Sequence, residues 1–150
     1  MSNKEWGKAC WYVFHTLAYR LLPRKEYLVN QLLTHIKNVA CNLPCPDCSQ
    51  HARRMFDTVK PGSVNNRETL IEMLYQMHNR VNLRIKKKAF TRAEHDELYL
   101  KANIVMIVKY FQNVMTRQLG QEKAMIYTMA RRNAVNALVK FYVENRESFA

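Results

Sequence analysis

The stretch KEWGKACWYVFHTLAYRLL, residues 4–22, decides the fold class of this 150-residue chain. Its apolar residues recur at every third or fourth position: Trp6, Cys10, Trp11, Phe14, Leu17, Ala18, Leu21 and Leu22. This spacing predicts an amphipathic α-helix that buries one face. Pro23 follows and ends the predicted helix, because proline lacks the backbone N–H that a helix interior needs.

The same periodicity continues along most of the chain. It predicts further helices over residues 26–41, from the first cysteine of CPDC to about residue 56, over 67–85, and in two patterns near 91–118 and 121–146. Gly120 lies between the last two patterns, where a helix-ending glycine belongs. With 3 Gly and 4 Pro, the chain has few residues for the turns of an all-β fold. We therefore predict an all-α protein, with a four-helix bundle over residues 1–90 and a helical extension over 91–150.

The chain is basic, with a net charge of +12. Residues 1–90 hold 15 Lys and Arg against 6 Asp and Glu, and residues 91–150 hold 9 against 6. This balance favours a nucleic acid, an acidic protein surface or a phosphate-bearing cofactor as a partner, or it is a solvated basic surface. The basic stretch MARRNAVNALVKFY carries no base-reading motif, so we predict no nucleic-acid partner.

The sequence shows no targeting or membrane-spanning segment. MSNKEWGKACW has no apolar region of a secretory signal, and no run approaches the roughly 18 apolar residues of a membrane helix. These features predict a cytoplasmic protein with no membrane partner. In such a chain a CxxC motif favours redox catalysis or metal binding over a structural disulfide.

The motif NLPCPDCSQHA, residues 42–52, allows two kinds of chemistry. Cys45 and Cys48 lie one helical turn apart at a predicted helix start, where the helix dipole stabilises a thiolate, so they suit a redox dithiol. Alternatively, Cys41, Cys45, Cys48 and His51 are four possible zinc ligands within eleven residues. The CxxC spacing fits both. Cys10, on an apolar helix face, is predicted to be a buried thiol.

Two histidine-bearing helix faces point to a shared pocket. Trp11 and His15 lie four residues apart in WGKACWYVFH, and His78 and Asn82 do so in HNRVN. Residues four apart share a helix face. Together with the CxxC helix, these faces could line one pocket in a helical bundle, a common place for a cofactor.

These three motifs, WGKACWYVFH, CPDC and HNRVN, resemble in type and order the WGxxxWxxxH, CxxC and HNxVN motifs of the Erv/ALR family of FAD-linked sulfhydryl oxidases. The resemblance covers about residues 6 to 90. It implies a four-helix bundle with a short fifth helix that holds FAD. It also implies that substrate thiols attack the Cys45–Cys48 disulfide at Cys45, that Cys48 passes two electrons to FAD, and that O2 reoxidises the flavin and leaves as H2O2.

The resemblance further implies a set of cofactor contacts and no metal. The implied FAD-binding residues are Trp6, Gly7, Trp11, His15, His51, His78, Asn79, Val81, Asn82, Lys86, Lys87 and Phe90. Within this set, Lys86 or Lys87 would reach the pyrophosphate, and Phe90 would pack near the adenine. The competing hypothesis is a zinc-stabilised helical module that binds an acidic partner or nucleic acid.

The chain departs from the family pattern in its cysteines. Many members carry a second redox pair on a tail and a structural disulfide near the end of the helical domain, and neither is visible here. We predict that Cys10 and Cys41 are reduced or structural and do not shuttle electrons. The protein would then take electrons directly from the thiols of a partner protein. Tail-less members resemble oxidases of large DNA viruses, which implies a location in the host cytoplasm or the virion.

The family resemblance also implies a homodimer. The extension over 91–150 is predicted to cover the bundle or to build the dimer face. A more specific alternative is that it docks the protein that donates the electrons.

Overall fold

The computed structural model describes residues 3–117 and 125–150, and these ranges are almost entirely helical. The seven α-helices described are α1 (Asn3–Arg20), α2 (Val29–Ala40), α3 (Pro46–Asp57), α4 (Arg67–Arg84), α5 (Arg92–Leu100), α6 (Ile104–Thr116) and α7 (Met125–Glu144). Short 3-10 helices span Pro23–Leu28 and Arg146–Ser148. Within the described ranges the only β-type pairing is an isolated bridge between Leu21 and Phe149. The all-α prediction is confirmed.

Local capping explains where the central helices begin. Pro46 occupies the first turn of α3, where its missing N–H costs nothing, and extended Cys45 is the N-cap. The Asn66 side chain caps α4 by accepting a hydrogen bond from the backbone N–H of Thr69, and the Thr69 side chain completes a capping box. These signals keep the ends of α3 and α4 close to their predicted positions.

Two predicted helix boundaries were wrong. The pattern near 91–118 is two helices, because the Asn103 side chain accepts a hydrogen bond from Met106 N–H at 3.2 Å and starts α6 anew. The second helix begins at Val29 and not at residue 26, because the chain after Pro23 first forms a 3-10 helix. The predicted break at Gly120 lies outside the described residues.

Helix α1 lies at the centre of the packing. It contacts α4, α5 and α6, while α7 packs on α2 and α6, and α3 packs on α2. One hydrophobic core continues from Trp6 to Phe149 and includes Leu17, Leu70 and Phe111, which are fully buried. Helices from both sides of residue 90 therefore share this core. The division into a bundle and an extension stays a prediction.

The extension also leaves apolar side chains exposed. They are Leu98 and Leu100 on α5, Val105, Met106 and Tyr110 on α6, and Tyr127, Met129 and Val143 on α7. None of the helices described combines the length and apolar character needed to cross a bilayer.

Candidate functional site

A cavity of about 690 Å³ opens between α1, α3, α4 and the segment from residue 84 to residue 99. Ten of the predicted site residues line it: Trp6, Gly7, Trp11, Cys48, His51, His78, Val81, Asn82, Lys87 and Phe90. The prediction that the two histidine-bearing faces and the CxxC helix line one pocket is thus confirmed. Its size lies within the range of about 300–1,000 Å³ that is typical of small-molecule and cofactor sites.

Four predicted site residues do not line this cavity. Cys45 is half-buried next to Cys48, and His15 is fully buried behind the wall. The Asn79 side chain faces the backbone of Phe90. Lys86 is exposed in a turn with φ 61°, a left-handed conformation that is uncommon for a residue other than glycine. The roles predicted for these residues toward a cofactor stay predictions.

Cys45 and Cys48 form a disulfide at the first turn of α3, with their Cα atoms 5.2 Å apart. The backbone N–H of Cys48 donates to the Sγ of Cys45 at 3.2 Å. Of the two sulfur-bearing residues, Cys48 lines the cavity and Cys45 does not. The disulfide therefore has an inner side at Cys48 and an outer side at Cys45. A thiolate freed at this helix N-terminus is stabilised by the helix dipole.

The other two cysteines are free thiols. Cys10 is buried, as predicted, with its Sγ 3.6 Å from the sulfur of Met115, and burial raises the pKa of its thiol. Cys41 is half-buried. Because Cys45 and Cys48 are bonded to each other, the proposed zinc set with Cys41 and His51 is not assembled. Thiolates, not disulfide sulfurs, bind zinc.

Three buried histidines meet behind the cavity wall. His15 Nε2 lies 2.9 Å from His78 Nδ1 and 3.2 Å from His95 Nε2. The other ring nitrogen of His95 lies 2.8 Å from the hydroxyl of Tyr19, which in turn donates to Asp96. Within the described ranges these imidazoles are the one group whose nitrogens converge closely enough for a metal ion, lying within 4.8 Å of one another. The contacts themselves are those of a hydrogen-bonded chain that runs from the cavity wall to α5.

Trp11 covers two rings of this chain from the cavity side. Its indole is nearly parallel to the rings of His15 and His78, at centroid distances of 5.3 Å and 4.2 Å. Phe90 adds a further ring, 5.2 Å from His78. The cavity thus has one flat aromatic wall, supported from behind by buried imidazoles.

These imidazoles are neutral at ordinary pH. Burial, followed by the charges of His95 and Lys87, lowers the pKa of His78 to about 3. Burial also lowers the pKa of His95 to about 4 and holds that of His15 well below its usual range. Two neutral imidazoles can share one proton in a hydrogen bond, whereas two charged rings at this distance would repel.

We expect the stability of the fold to decrease as the pH falls from about 7.5 to about 5. In the unfolded chain His15, His78 and His95 regain a pKa near 6.5, so unfolding takes up protons below that value. The urea midpoint, followed by circular dichroism, should be nearly constant above pH 7.5 and should drop through this window. The variant His95→Phe removes one such group and should depend less steeply on pH. A wild-type midpoint that is flat or rises on acidification would contradict neutral buried imidazoles.

Asn79 and Tyr75 position Phe90 at the cavity rim. The Asn79 amide accepts from Phe90 N–H at 2.9 Å and donates to Phe90 C=O at 3.0 Å. The Tyr75 hydroxyl donates to the same carbonyl at 2.9 Å. The side chain of Asn79 thus acts on the cavity through the residue that it holds.

The segment after α4 turns back to place Lys87 in the cavity wall. The N–H of Lys87 donates to the carbonyl of Asn82 at 2.7 Å, and the left-handed Lys86 forms the turn. Arg84, at the last position of α4, also lines the cavity. With Lys8 of α1, three cations therefore border an otherwise largely apolar site.

Sequence reasoning missed the contribution of α5. Leu98 and Tyr99 line the cavity, and His95 completes the histidine chain, although all three were assigned to the extension. The sequence contained a signal: Thr91 and Glu94 form a capping box, which marks a helix start directly after Phe90. Other cavity residues not predicted are Lys8, Cys10, Tyr12, Phe14, Ala40, Leu43, Ala52, Met55, Phe56, Leu74, Met77 and Ile85.

One arginine fastens α5 to α4. The guanidinium of Arg92 lies 2.8 Å from Glu68, 2.7 Å from Glu72 and 2.9 Å from Asp96. Three carboxylates around one partly buried guanidinium form a network, which is stronger than isolated surface pairs. This network holds the cavity-lining end of α5 in place.

Comparison with known proteins identifies the family of this chain. The sequence profile of the Erv1/Alr family matches residues 8–100. An African swine fever virus protein from a Kenyan isolate, named FAD-linked sulfhydryl oxidase, is 27% identical over 107 residues, covering 71% of this chain and 88% of that protein. The protein of the same name from a Namibian isolate is 28% identical over 110 residues, with the same coverage.

A more distant virus provides a third relative. A protein of Invertebrate iridescent virus 3, provisionally named FAD-linked sulfhydryl oxidase 096R, is 30% identical over 92 residues, covering 58% of this chain and 60% of that protein. No solved structure matches the chain. The family profile spans well over half of the sequence and includes the aromatic wall, the CxxC helix and α5. The chain belongs to the Erv1/Alr family.

Proposed function

We propose that this protein is an FAD-linked sulfhydryl oxidase that forms disulfides in partner proteins through Cys45 and Cys48. The observation that carries the proposal is the Cys45–Cys48 disulfide at the start of α3, with Cys48 in the wall of an aromatic cavity. Membership of the Erv1/Alr family and the names of the viral relatives support it. The zinc-module alternative loses support because the disulfide uses two of its four ligands.

The residues around the cavity fit FAD. Trp11, His78 and Phe90 offer flat aromatic surfaces for the ring systems of the cofactor, with Phe90 toward the adenine. Lys87 is the lysine that we assign to the pyrophosphate, because it lines the cavity and Lys86 does not. The remaining proposed contacts with the cofactor are Trp6, Gly7, His51, Val81 and Asn82, with His15 and Asn79 supporting them from behind.

The chemistry of the disulfide follows from its inner and outer sulfurs. A substrate thiolate attacks the Sγ of Cys45, the Cys45–Cys48 bond breaks, and its electron pair leaves on Cys48. The N-terminal turn of α3 stabilises the thiolate formed there. A second substrate thiolate then attacks the substrate sulfur of the mixed disulfide and releases Cys45.

Each such cycle forms one disulfide in the partner protein and leaves two electrons on the reduced Cys45 and Cys48. When bound, FAD accepts these two electrons and transfers them to O2, which leaves as H2O2. The protein contributes by holding Cys48 at the cavity wall while Cys45 stays outside the cavity. In the sequence on either side of Cys48, Pro46, Asp47 and Gln50 are exposed, so a protein substrate has room to approach.

The proposal includes an assembly and a location. We propose a homodimer, which light scattering on the purified protein tests directly. We also propose that the enzyme acts in the cytoplasm of a host cell or in a virion, in keeping with its viral relatives.

An absorption spectrum of the purified protein, followed by dithiothreitol in air, tests the function. We expect a yellow protein whose flavin band bleaches with the dithiol and returns as oxygen is consumed and peroxide accumulates. The measurement combines visible absorption, an oxygen electrode and a peroxide assay. A colourless protein with stoichiometric zinc, which unfolds when a chelator is added, would contradict the proposal and support the zinc module.

A further inference from the structure

Three exposed arginines of α3 and α4 line the cavity or lie within one helical turn of a residue that does. Arg54 lies on α3 three residues after His51, and Arg80 and Arg84 lie one turn apart on α4, so each pair shares a helix face. All three side chains are exposed. We call Arg54, Arg80 and Arg84 the arginine rim. His51 follows Cys48 by one turn of the same helix and lines the cavity, which places the rim at the mouth of the site.

The charges of the arginine rim act together on His51. Burial lowers the pKa of this imidazole first, and the charges of Arg84, Arg54 and Arg80 lower it further. One imidazole thus feels guanidinium groups from two helices. Like charges gathered on one surface cost free energy unless a counter-charge offsets them.

No carboxylate of the described ranges pairs with the arginine rim. The ion pairs found there involve Arg92, which binds Glu68, Glu72 and Asp96, and Arg117, which binds Glu5. The chain has only 12 acidic residues, and three of them surround Arg92. The acidic residues of α4, Glu68 and Glu72, therefore pair with Arg92 of α5 and not with the arginine rim.

The cofactor does not account for the whole rim. Arg84 lines the cavity and can approach a bound phosphate, but Arg54 and Arg80 do not line it. These two guanidiniums face solvent, each within one helical turn of a residue, His51 or Arg84, that lines the cavity together with Cys48. An external anion would offset the charge of these two guanidiniums.

We propose that the arginine rim binds acidic residues that flank the reacting cysteine of the substrate protein. This inference rests on the proposed sulfhydryl oxidase function and names its substrate class. The rim would attract an acidic segment and orient it at Cys45.

Three synthetic dithiol peptides of equal length, with Glu, Ser or Lys around their cysteines, test the proposal. With the wild-type holoenzyme we expect kcat/KM for the acidic peptide to exceed that for the basic peptide by about tenfold or more at low salt. The preference should shrink as salt screens the charges. The variant R54E/R80E should favour the basic peptide while it keeps its flavin and oxidises dithiothreitol at the wild-type rate to within about twofold.

The control variant is K109E/K140E. It changes the net charge by the same amount, but its two exposed lysines lie on α6 and α7, which contribute nothing to the cavity lining. It should keep the wild-type order of peptides. If both double variants shift the preference alike, the general field of the protein is responsible and a specific rim is excluded.

Other results would overturn the inference in distinguishable ways. Equal kcat/KM for the three peptides in the wild type would show that the rim does not select substrates. Loss of flavin from R54E/R80E would assign these arginines to the cofactor site. Loss of binding to a single-stranded oligonucleotide, with peptide preference unchanged, would assign them to a nucleic acid. A wild-type protein without flavin or dithiothreitol oxidation would instead refute the proposed function itself.

Discussion

Replacing Cys48 with serine is expected to abolish oxidase activity while the protein stays folded and yellow. Cys48 is the one of the two disulfide cysteines that lines the cavity, and a hydroxyl can neither form the disulfide with Cys45 nor carry its electrons. We expect kcat with dithiothreitol to fall by about three orders of magnitude or more. Oxygen consumption measures the rate, and the flavin absorbance per protein measures cofactor retention.

The matched control is Cys41→Ser. Cys41 is a free, half-buried thiol seven residues earlier in the chain, and it does not line the cavity. The same substitution there should leave the rate within about twofold of wild type. In Cys48→Ser, the remaining thiol of Cys45 should form a stable mixed disulfide with an activated substrate thiol, visible by mass spectrometry. A Cys48→Ser enzyme with substantial oxidase activity would refute the role assigned to this residue.

Replacing Trp11 with alanine is expected to release most of the flavin. The indole lies 4.2 Å from the ring of His78 and covers His15, so its removal opens the flat wall of the cavity. An aromatic contact adds about 0.5–1.5 kcal/mol beyond the surface that it buries. With the lost burial included, we expect FAD affinity to fall at least about tenfold, since 1.4 kcal/mol corresponds to a factor of ten.

A fluorescence titration of the apoprotein with FAD measures this loss, and circular dichroism reports whether the variant is folded. Trp11→Phe keeps an aromatic face and should retain more affinity than the alanine variant, which separates stacking from a general loss of structure. Tyr127→Ala is the control, because Tyr127 is an exposed aromatic on α7, outside the cavity. A folded Trp11→Ala protein that still carries stoichiometric FAD would remove this residue from the cofactor site.

The attachment of α5 accounts for how the site can close without a structural disulfide. Many members of the family carry such a disulfide near the end of the helical domain, and the cysteines for it are missing from this sequence. In its place, Arg92 binds carboxylates of α4, and His95 and Tyr19 connect α5 to α1. These contacts are independent of thiol redox state. The helix that lines the cavity therefore stays attached while the enzyme handles reactive disulfides.

The sequence was sufficient for the helical class, the four bundle helices and most of the cavity. Apolar periodicity and helix caps are local signals, so Pro46 and Asn66 mark helix starts without knowledge of the rest of the fold. The same local periodicity assigned Trp11 to one face of the first helix and His78 to one face of the fourth. The family motifs then brought these faces together with Cys48, and ten of the predicted residues do line one cavity.

Contacts between helices decided the rest. That His95 meets His15, that Asn79 holds the backbone of Phe90, and that Cys48 is the inner sulfur all depend on how distant segments are oriented against each other. Periodicity reports which face of a helix is buried, but it does not report which helix covers that face. The position of α5 illustrates the reason: its capping box is written in the sequence, whereas its place beside α1 and α4 follows from long-range packing and ion pairs.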